Sequence, residues 1–183
     1  MKLEKINYDY KDLSPHMSKE TLEYHRDNLA AGYIKRFNKK EGDSKFNEAG
    51  GFLHNLFFPQ LKKASGDSPS GEVLSLINKK HDSFADFKKE FLKKAMSIQG
   101  SGWVYLSNSG DIKIIKNHEI KNDIVFIVDW WEHAWALDYK HDKKLYLDNI
   151  WKILNWDFIN ERFSNNKKAQ RYNELNKFSK DIK

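Results

Sequence analysis

The chain has 183 residues, 39% of them hydrophobic and 14% aromatic, and a net charge of +6, enough apolar mass for one large domain or two small lobes. It contains no cysteine. Disulfides, thiolate metal sites, iron–sulfur clusters and thiol catalysis are therefore excluded, and His, Asp and Glu remain as metal ligands.

The segment Met1-Lys2-Leu3-Glu4-Lys5-Ile6-Asn7-Tyr8 carries early charge and no apolar signal core. No apolar run approaches a membrane span. A soluble, cytoplasmic protein with no membrane partner is expected. Ser18 stands where it would cap a helix bearing Thr21, Leu22, Tyr24, His25, Leu29, Ile34 and Phe37. Gly42-Asp43-Ser44 breaks that helix. A second helix is predicted from about Asn47 through Phe52, Leu53, Leu56 and Phe57 toward Pro59. Two helices joined by a short break predict an antiparallel hairpin. The Gly-, Ser- and Pro-rich stretch 64–71 reads as a linker. It divides the chain into a helical-hairpin lobe, 1–70, and a second lobe, 71–183.

The second lobe is predicted to open with a helix over 72–79. Ser83-Phe84-Ala85-Asp86 resembles a capping box with Asp in the Glu position, and it opens a helix over 84–96. Three strand-like segments follow, 102–106, 112–116 and 124–128, with Asn108-Ser109-Gly110-Asp111 as a hairpin turn. Helical patterns return over 143–154 and 157–163. The fold class is α+β: an antiparallel helical hairpin followed by a lobe with a three-stranded antiparallel sheet. The tail 165–183 sets six basic residues against two acidic ones. With no nucleic-acid motif beside it, the tail reads as a solvated terminal helix, and no nucleic-acid partner is expected.

The chemistry gathers at Asp129-Trp130-Trp131-Glu132-His133, directly after the apolar strand. A carboxylate and an imidazole four residues apart are ligand types for manganese, iron or zinc. Of the seven histidines, His81 and His141 lie in charged surroundings and are expected at the surface. His25 and His54 sit mid-helix among apolar neighbours, one on each arm of the hairpin, where antiparallel packing can bring them face to face. With Asp129 and His133 they make three imidazoles and one carboxylate, a set for a redox-active first-row metal that zinc would also accept.

These residues carry a resemblance that spans nearly the whole chain. Residues 15–25, from Pro15-His16-Met17 to Tyr24-His25, resemble the opening helix and first ligand of the iron/manganese superoxide dismutases. Residues 46–54, ending Gly50-Gly51-Phe52-Leu53-His54, resemble the second ligand segment. Gly100-Ser101-Gly102-Trp103 resembles the start of the sheet, Asp129 to Ala134 matches D-x-W-E-H-A, and Asn155-Trp156 matches a late helical N-W. The resemblance implies a metal centre of His25, His54, Asp129 and His133, holding one iron or manganese ion per subunit, with iron ahead and manganese tolerated. It implies conversion of superoxide to dioxygen and hydrogen peroxide. It makes Tyr33 the gateway tyrosine and Trp103 and Trp131 pocket residues. It makes Glu132 the acid that reaches across a homodimer to the partner's His133.

The departures are informative. Leu29-Ala30 replaces a His-His pair, and Ala136 replaces a Tyr that bonds the first of those His across the dimer. Losing both partners is nearly neutral, whereas losing one strands a polar group. Trp130 replaces a small or aliphatic residue and Phe58 a common Trp. The usual Gln donor is absent from Gly50, Gly51 and Phe52. His118, in Asn117-His118-Glu119, falls on its alternative position and is expected to donate beside the metal, with its other ring nitrogen held by a partner. Two other readings stand beside the dismutase: a related structural or binding protein with weak or no activity, and a non-haem iron oxygenase with two His and one carboxylate. Retention of four ligands favours the dismutase.

Overall fold

The computed structural model describes residues 1–178, with side chains through Lys167. The first long helix, α1 (residues 19–39), runs without a break through α-helical Lys19–Leu22, π-helical Glu23–Ala30 and α-helical Ala31–Lys39. Ser18 caps it as predicted, its Oγ accepting from the Thr21 N–H at 3.0 Å. Wide π turns are frequent at functional sites, and this one carries the fully buried His25. The second helix, α2 (Ser44–Phe57), begins three residues earlier than predicted. Asp43, read as part of the break, is its N-cap: Oδ1 accepts from the Phe46 N–H at 3.0 Å. The two arms pack closely because of two glycines. A Cβ on Gly50 would lie 2.8 Å from the Tyr33 ring, and one on Gly51 2.8 Å from the Ile34 side chain.

Helices α3 (Gly71–His81) and α4 (Phe84–Met96) follow. The predicted capping box is half formed. Ser83 Oγ accepts from the Asp86 N–H at 3.1 Å, but the Asp86 carboxylate takes the Ser83 hydroxyl instead of its backbone N–H. Asp is one methylene shorter than Glu, and the Ser83 N–H already bonds the His81 carbonyl. His81 itself corrects the surface expectation: it is 8% exposed. Nε2 donates to the Gly110 carbonyl at 2.7 Å and Nδ1 lies 2.7 Å from Glu90. The end of α3 packs against the β-hairpin turn, so a histidine among charges in sequence is covered in space. His141 is exposed as expected.

The sheet has strands β1 (Gly102–Ser107), β2 (Ile112–Lys116) and β3 (Ile124–Asp129) in the order β2-β1-β3, all antiparallel. Every residue of β1 and β3 is buried, which explains their continuous apolar runs. Trp103 pairs with Asp129 across β1 and β3. A short helix α5 (Ala136–Tyr139), then α6 (Lys143–Ile153) and α7 (Trp156–Phe178) complete the α+β fold. α7 runs past the periodic segment 157–163 into the tail, where a solvated terminal helix is expected, and is described as helical through Phe178. Beyond Phe163 its sequence has no apolar stripe, so that expectation rests on charge and not on periodicity. Most of the predicted basic tail, the side chains of 168–183, lies outside the described residues. Residues from Leu13 to Phe163 form one contiguous core. Among the described residues no helix is long and apolar enough to cross a membrane.

Candidate metal centre

Three segments far apart in sequence bring four donor groups together. His25 comes from the π turns of α1, His54 from α2, Asp129 from the end of β3, and His133 from the turn that follows it. One ligand atom from each lies within 4.8 Å of the others. Asp129 Oδ2 is the hub, 3.0 Å from His25 Nε2, 3.2 Å from His133 Nε2 and 3.6 Å from His54 Nε2. His25, His54 and Asp129 have no exposed surface. The mid-helix positions on opposite arms do meet: the His25 and His54 rings stand edge to face with centroids 5.0 Å apart.

The chemistry of this set fits a cation. Burial, opposed by Asp129, lowers the His25 pKa, and burial together with His25 lowers that of His54 further. Both are neutral imidazoles. Burial of Asp129 works to raise its pKa, but His133 and His25 overcome that and hold the carboxyl below its usual range. His54 Nδ1 donates to the Gly50 carbonyl at 2.6 Å, which fixes the tautomer. Its Nε2 lone pair is then buried with no hydrogen-bond partner, a costly state that a metal ion relieves. Asp129 is oriented in turn, because its Oδ1 accepts from the Trp131 N–H at 2.8 Å. Outer contacts of this kind set the direction of metal ligands.

Around the four donors stands an aromatic box. Trp131 stacks on His118 at 4.5 Å and on His133 at 5.6 Å between centroids. Tyr33 stacks on His54 at 5.6 Å and meets His118 edge-on at 4.8 Å. Burial, with Asp129 adding to it, raises the Tyr33 pKa. Trp103 stands edge to face on His54 at 5.0 Å. Its indole N–H donates to His118 Nδ1 at 3.1 Å. An accepting Nδ1 means that the proton of neutral His118 is on Nε2, which is buried without a protein partner. Burial pushes the His118 pKa down to about 4. The partner expected for the second ring nitrogen is therefore Trp103.

Glu132 is exposed and makes no side-chain hydrogen bond among the described residues, while His133 is 11% exposed. Both line a surface depression of about 660 Å³ together with Tyr24, Ala136 and Leu137. Phe58, in place of the common Trp, packs edge to face on His25 at 4.8 Å. Sequence reasoning gave no role to Phe46, whose ring lies 4.7 Å from His118 and 5.8 Å from Tyr33. Its signal was spacing: eight residues before His54, about 80° around the helix, is still within one apolar stripe of α2.

Comparison with known proteins agrees with this geometry. Residues 69–162 match the family model described as iron/manganese superoxide dismutases, C-terminal domain, and residues 1–45 match the alpha-hairpin domain of the same family. His54 falls between the two matches, so it is the fold that joins it to the set. A protein of Plasmodium falciparum named "Superoxide dismutase [Fe]" is 31% identical over 92% of this chain and 98% of its own length. Proteins of the same name from Entamoeba histolytica and Coxiella burnetii are each 29% identical, over 87% and 86% of this chain and 97% and 95% of their own lengths. With one family model spanning more than half of its length and relatives aligned almost end to end, the chain belongs to the iron/manganese superoxide dismutase family.

Proposed function

We propose that the protein is a superoxide dismutase with one iron or manganese ion held by His25, His54, Asp129 and His133. The observation that carries this is the convergence of three imidazoles on one buried carboxylate oxygen, all four donor atoms within 4.8 Å. A bound metal of this class supplies a one-electron redox couple, so that one superoxide loses an electron to give dioxygen and a second gains it, with two protons, to give hydrogen peroxide. The rest is the work of the chain. The Asp129 anion and the three histidines provide a donor set suited to iron and manganese. The relatives' names favour iron.

The Nε2–H of His118 is a free donor beside the centre, and it would bond solvent or an incoming oxygen anion there. Held neutral by burial and by the Trp103 N–H, His118 orients without giving up its proton. Tyr33, its pKa raised by burial and by Asp129, keeps its phenolic proton at neutral pH and is a proton donor beside His54. Trp103, Trp131 and Phe46 exclude bulk water from the donors.

The exposed, unpaired Glu132 beside His133 supports a homodimer in which Glu132 reaches the partner's His133. The two family matches, 1–45 and 69–162, support two lobes divided near residue 70. The absence of cysteine supports a cytoplasmic location. The test is elemental analysis of the purified protein, with superoxide turnover measured after separate reconstitution with iron and manganese. Stoichiometric iron with turnover is expected. Full folding with no metal uptake would favour a binding protein that has lost the chemistry.

A further inference from the structure

β3 bonds β1 on one side only, so its other side is a sheet edge. All six of its residues are nevertheless buried. A buried edge must find partners for its outward N–H and C=O groups, and here side chains provide them. The Gln60 amide takes both groups of Ile127: Nε2 donates to the carbonyl, and the Ile127 N–H donates to Oε1 at 3.3 Å. Arg162 Nη2 donates to the Val125 carbonyl. The Tyr146 hydroxyl donates to the Asp129 carbonyl at 3.0 Å. Val125, Ile127 and Asp129 alternate along the strand, so their backbone groups share one edge. Three side chains from three segments cover that edge much as a fourth strand would.

The same side chains reach the helix that carries His54. Arg162 Nη1 donates to the Leu56 carbonyl at 3.0 Å, and Nη2 also donates to Gln60 Oε1 at 3.1 Å. One guanidinium thus holds α2 two residues beyond His54 and, through Val125 and Gln60, the strand that ends in Asp129. Its recorded partners are all uncharged oxygens. Burial of a cation among uncharged partners is a poor route to stability alone, which points to placement of the elements as its use. Placement matters here because His54 and Asp129 lie on different elements and their donor atoms must meet to within a few tenths of an ångström for a metal.

We propose that Gln60, Arg162 and Tyr146 are positioning residues for the metal centre, standing in for a fourth strand on β3 and fixing the Asp129 strand against the His54 helix. This rests on the reading of His25, His54, Asp129 and His133 as ligands.

Gln60→Leu removes both bonds to Ile127 and the one accepted from Arg162, with little change of volume. Tyr146→Phe removes only the hydroxyl that holds the Asp129 carbonyl. Ile77→Val, fully buried on α3, serves as a comparator that loses heat stability by packing alone. Iron affinity is measured by competition with a chelator, and the geometry of the centre by the EPR spectrum of the ferric protein. Gln60→Leu is expected to weaken iron binding about 10–100-fold, the range for residues that orient ligands, and to shift the ferric EPR lines. Tyr146→Phe should move both in the same direction by less, and it carries the test alone if Gln60→Leu does not fold. Ile77→Val should lower Tm and move neither. Wild-type iron affinity and EPR lines in Tyr146→Phe, and in Gln60→Leu if it folds, would overturn the proposal while leaving the ligand set standing. A wild-type protein that takes up no iron would overturn the ligand reading, and this proposal with it.

Discussion

Replacing Trp103 by Phe tests the link between the sheet and the chemistry. The residue is fully buried and gives the one hydrogen bond recorded for His118, 3.1 Å from Nε1 to Nδ1. Phe keeps an aromatic ring but removes the donor. A buried ring nitrogen left unpaired costs about 1–3 kcal/mol, and the lost part of the indole adds a cavity term, so about 2–4 kcal/mol in all is expected. For a chain of this size that corresponds to a fall in Tm of about 5–15 °C. The functional effect has a separate origin. The indole bond favours the Nε2–H tautomer by about 1 kcal/mol net, roughly fivefold in the tautomer ratio. Without it, some molecules carry the proton on Nδ1 and offer no donor to the centre. Turnover should fall, by at most about the same fivefold, while iron content stays near stoichiometric because none of the four proposed ligands has changed. The ring ¹⁵N shifts of His118 in the diamagnetic zinc-loaded protein report the tautomer directly. A Trp103→Phe protein that loses heat stability but keeps a dominant Nε2–H tautomer and wild-type turnover would refute the argument.

The remaining expectations are simpler. His54→Ala should lose stoichiometric iron and turnover and cost about 2–4 kcal/mol, since it removes a buried ring and its bond to the Gly50 carbonyl; near-normal iron and turnover would take His54 out of the site. His118→Ala should keep the iron and lower turnover about 10–100-fold, as judged by metal analysis beside a superoxide assay; unchanged turnover returns His118 to a packing role. Gly50→Ala places a Cβ 2.8 Å from the Tyr33 ring, so it should cost about 1–3 kcal/mol by overpacking and lower turnover by displacing the tyrosine; a Tm within a degree of wild type would contradict that. Glu132→Ala should shift sedimentation from dimer toward monomer; a wild-type protein already monomeric at micromolar concentration would remove the bridge from the account.

Much of the fold was legible because its signals are local. Ser18 and Ser83 cap where they stand, and the three strands lie within a residue of their apolar runs. The candidate donors His25 and His54 were legible for a different reason: a histidine in the middle of an apolar helix is conspicuous before its partner is known. What the sequence hid is what depends on distance. His81 looks solvated among lysines, and only the packing of α3 on the Gly110 turn buries it. Gln60 follows a proline in a short turn, and nothing local says that its amide will complete a strand 67 residues away. Tyr146 reads as an ordinary core aromatic on an amphipathic helix. The far half of α7 has no apolar period, and only its charged composition pointed to a solvated terminal helix there.

The centre shows a consistent arrangement once these parts are placed together. His54 is pinned by the Gly50 carbonyl, and the bareness of Gly50 lets Tyr33 lie over it. Asp129 is pinned by the Trp131 N–H, and the Trp131 ring stacks on both His118 and His133. His118 is pinned by Trp103, whose backbone pairs with Asp129. His54, Asp129 and His118 are therefore each set by a neighbour that also sets a second group, whereas His25 Nδ1 has no hydrogen-bond partner among the described residues. The departures at Leu29 and Ala136 fall outside this web. Leu29 is half-buried on α1, and Ala136 lines the open depression beside Glu132. Their joint change to apolar residues removes a donor and its acceptor together, which is nearly neutral. It leaves every contact among His25, His54, Asp129, His133, Tyr33 and His118 in place, so in the proposed dimer the change would bear on the interface and not on the four candidate donors.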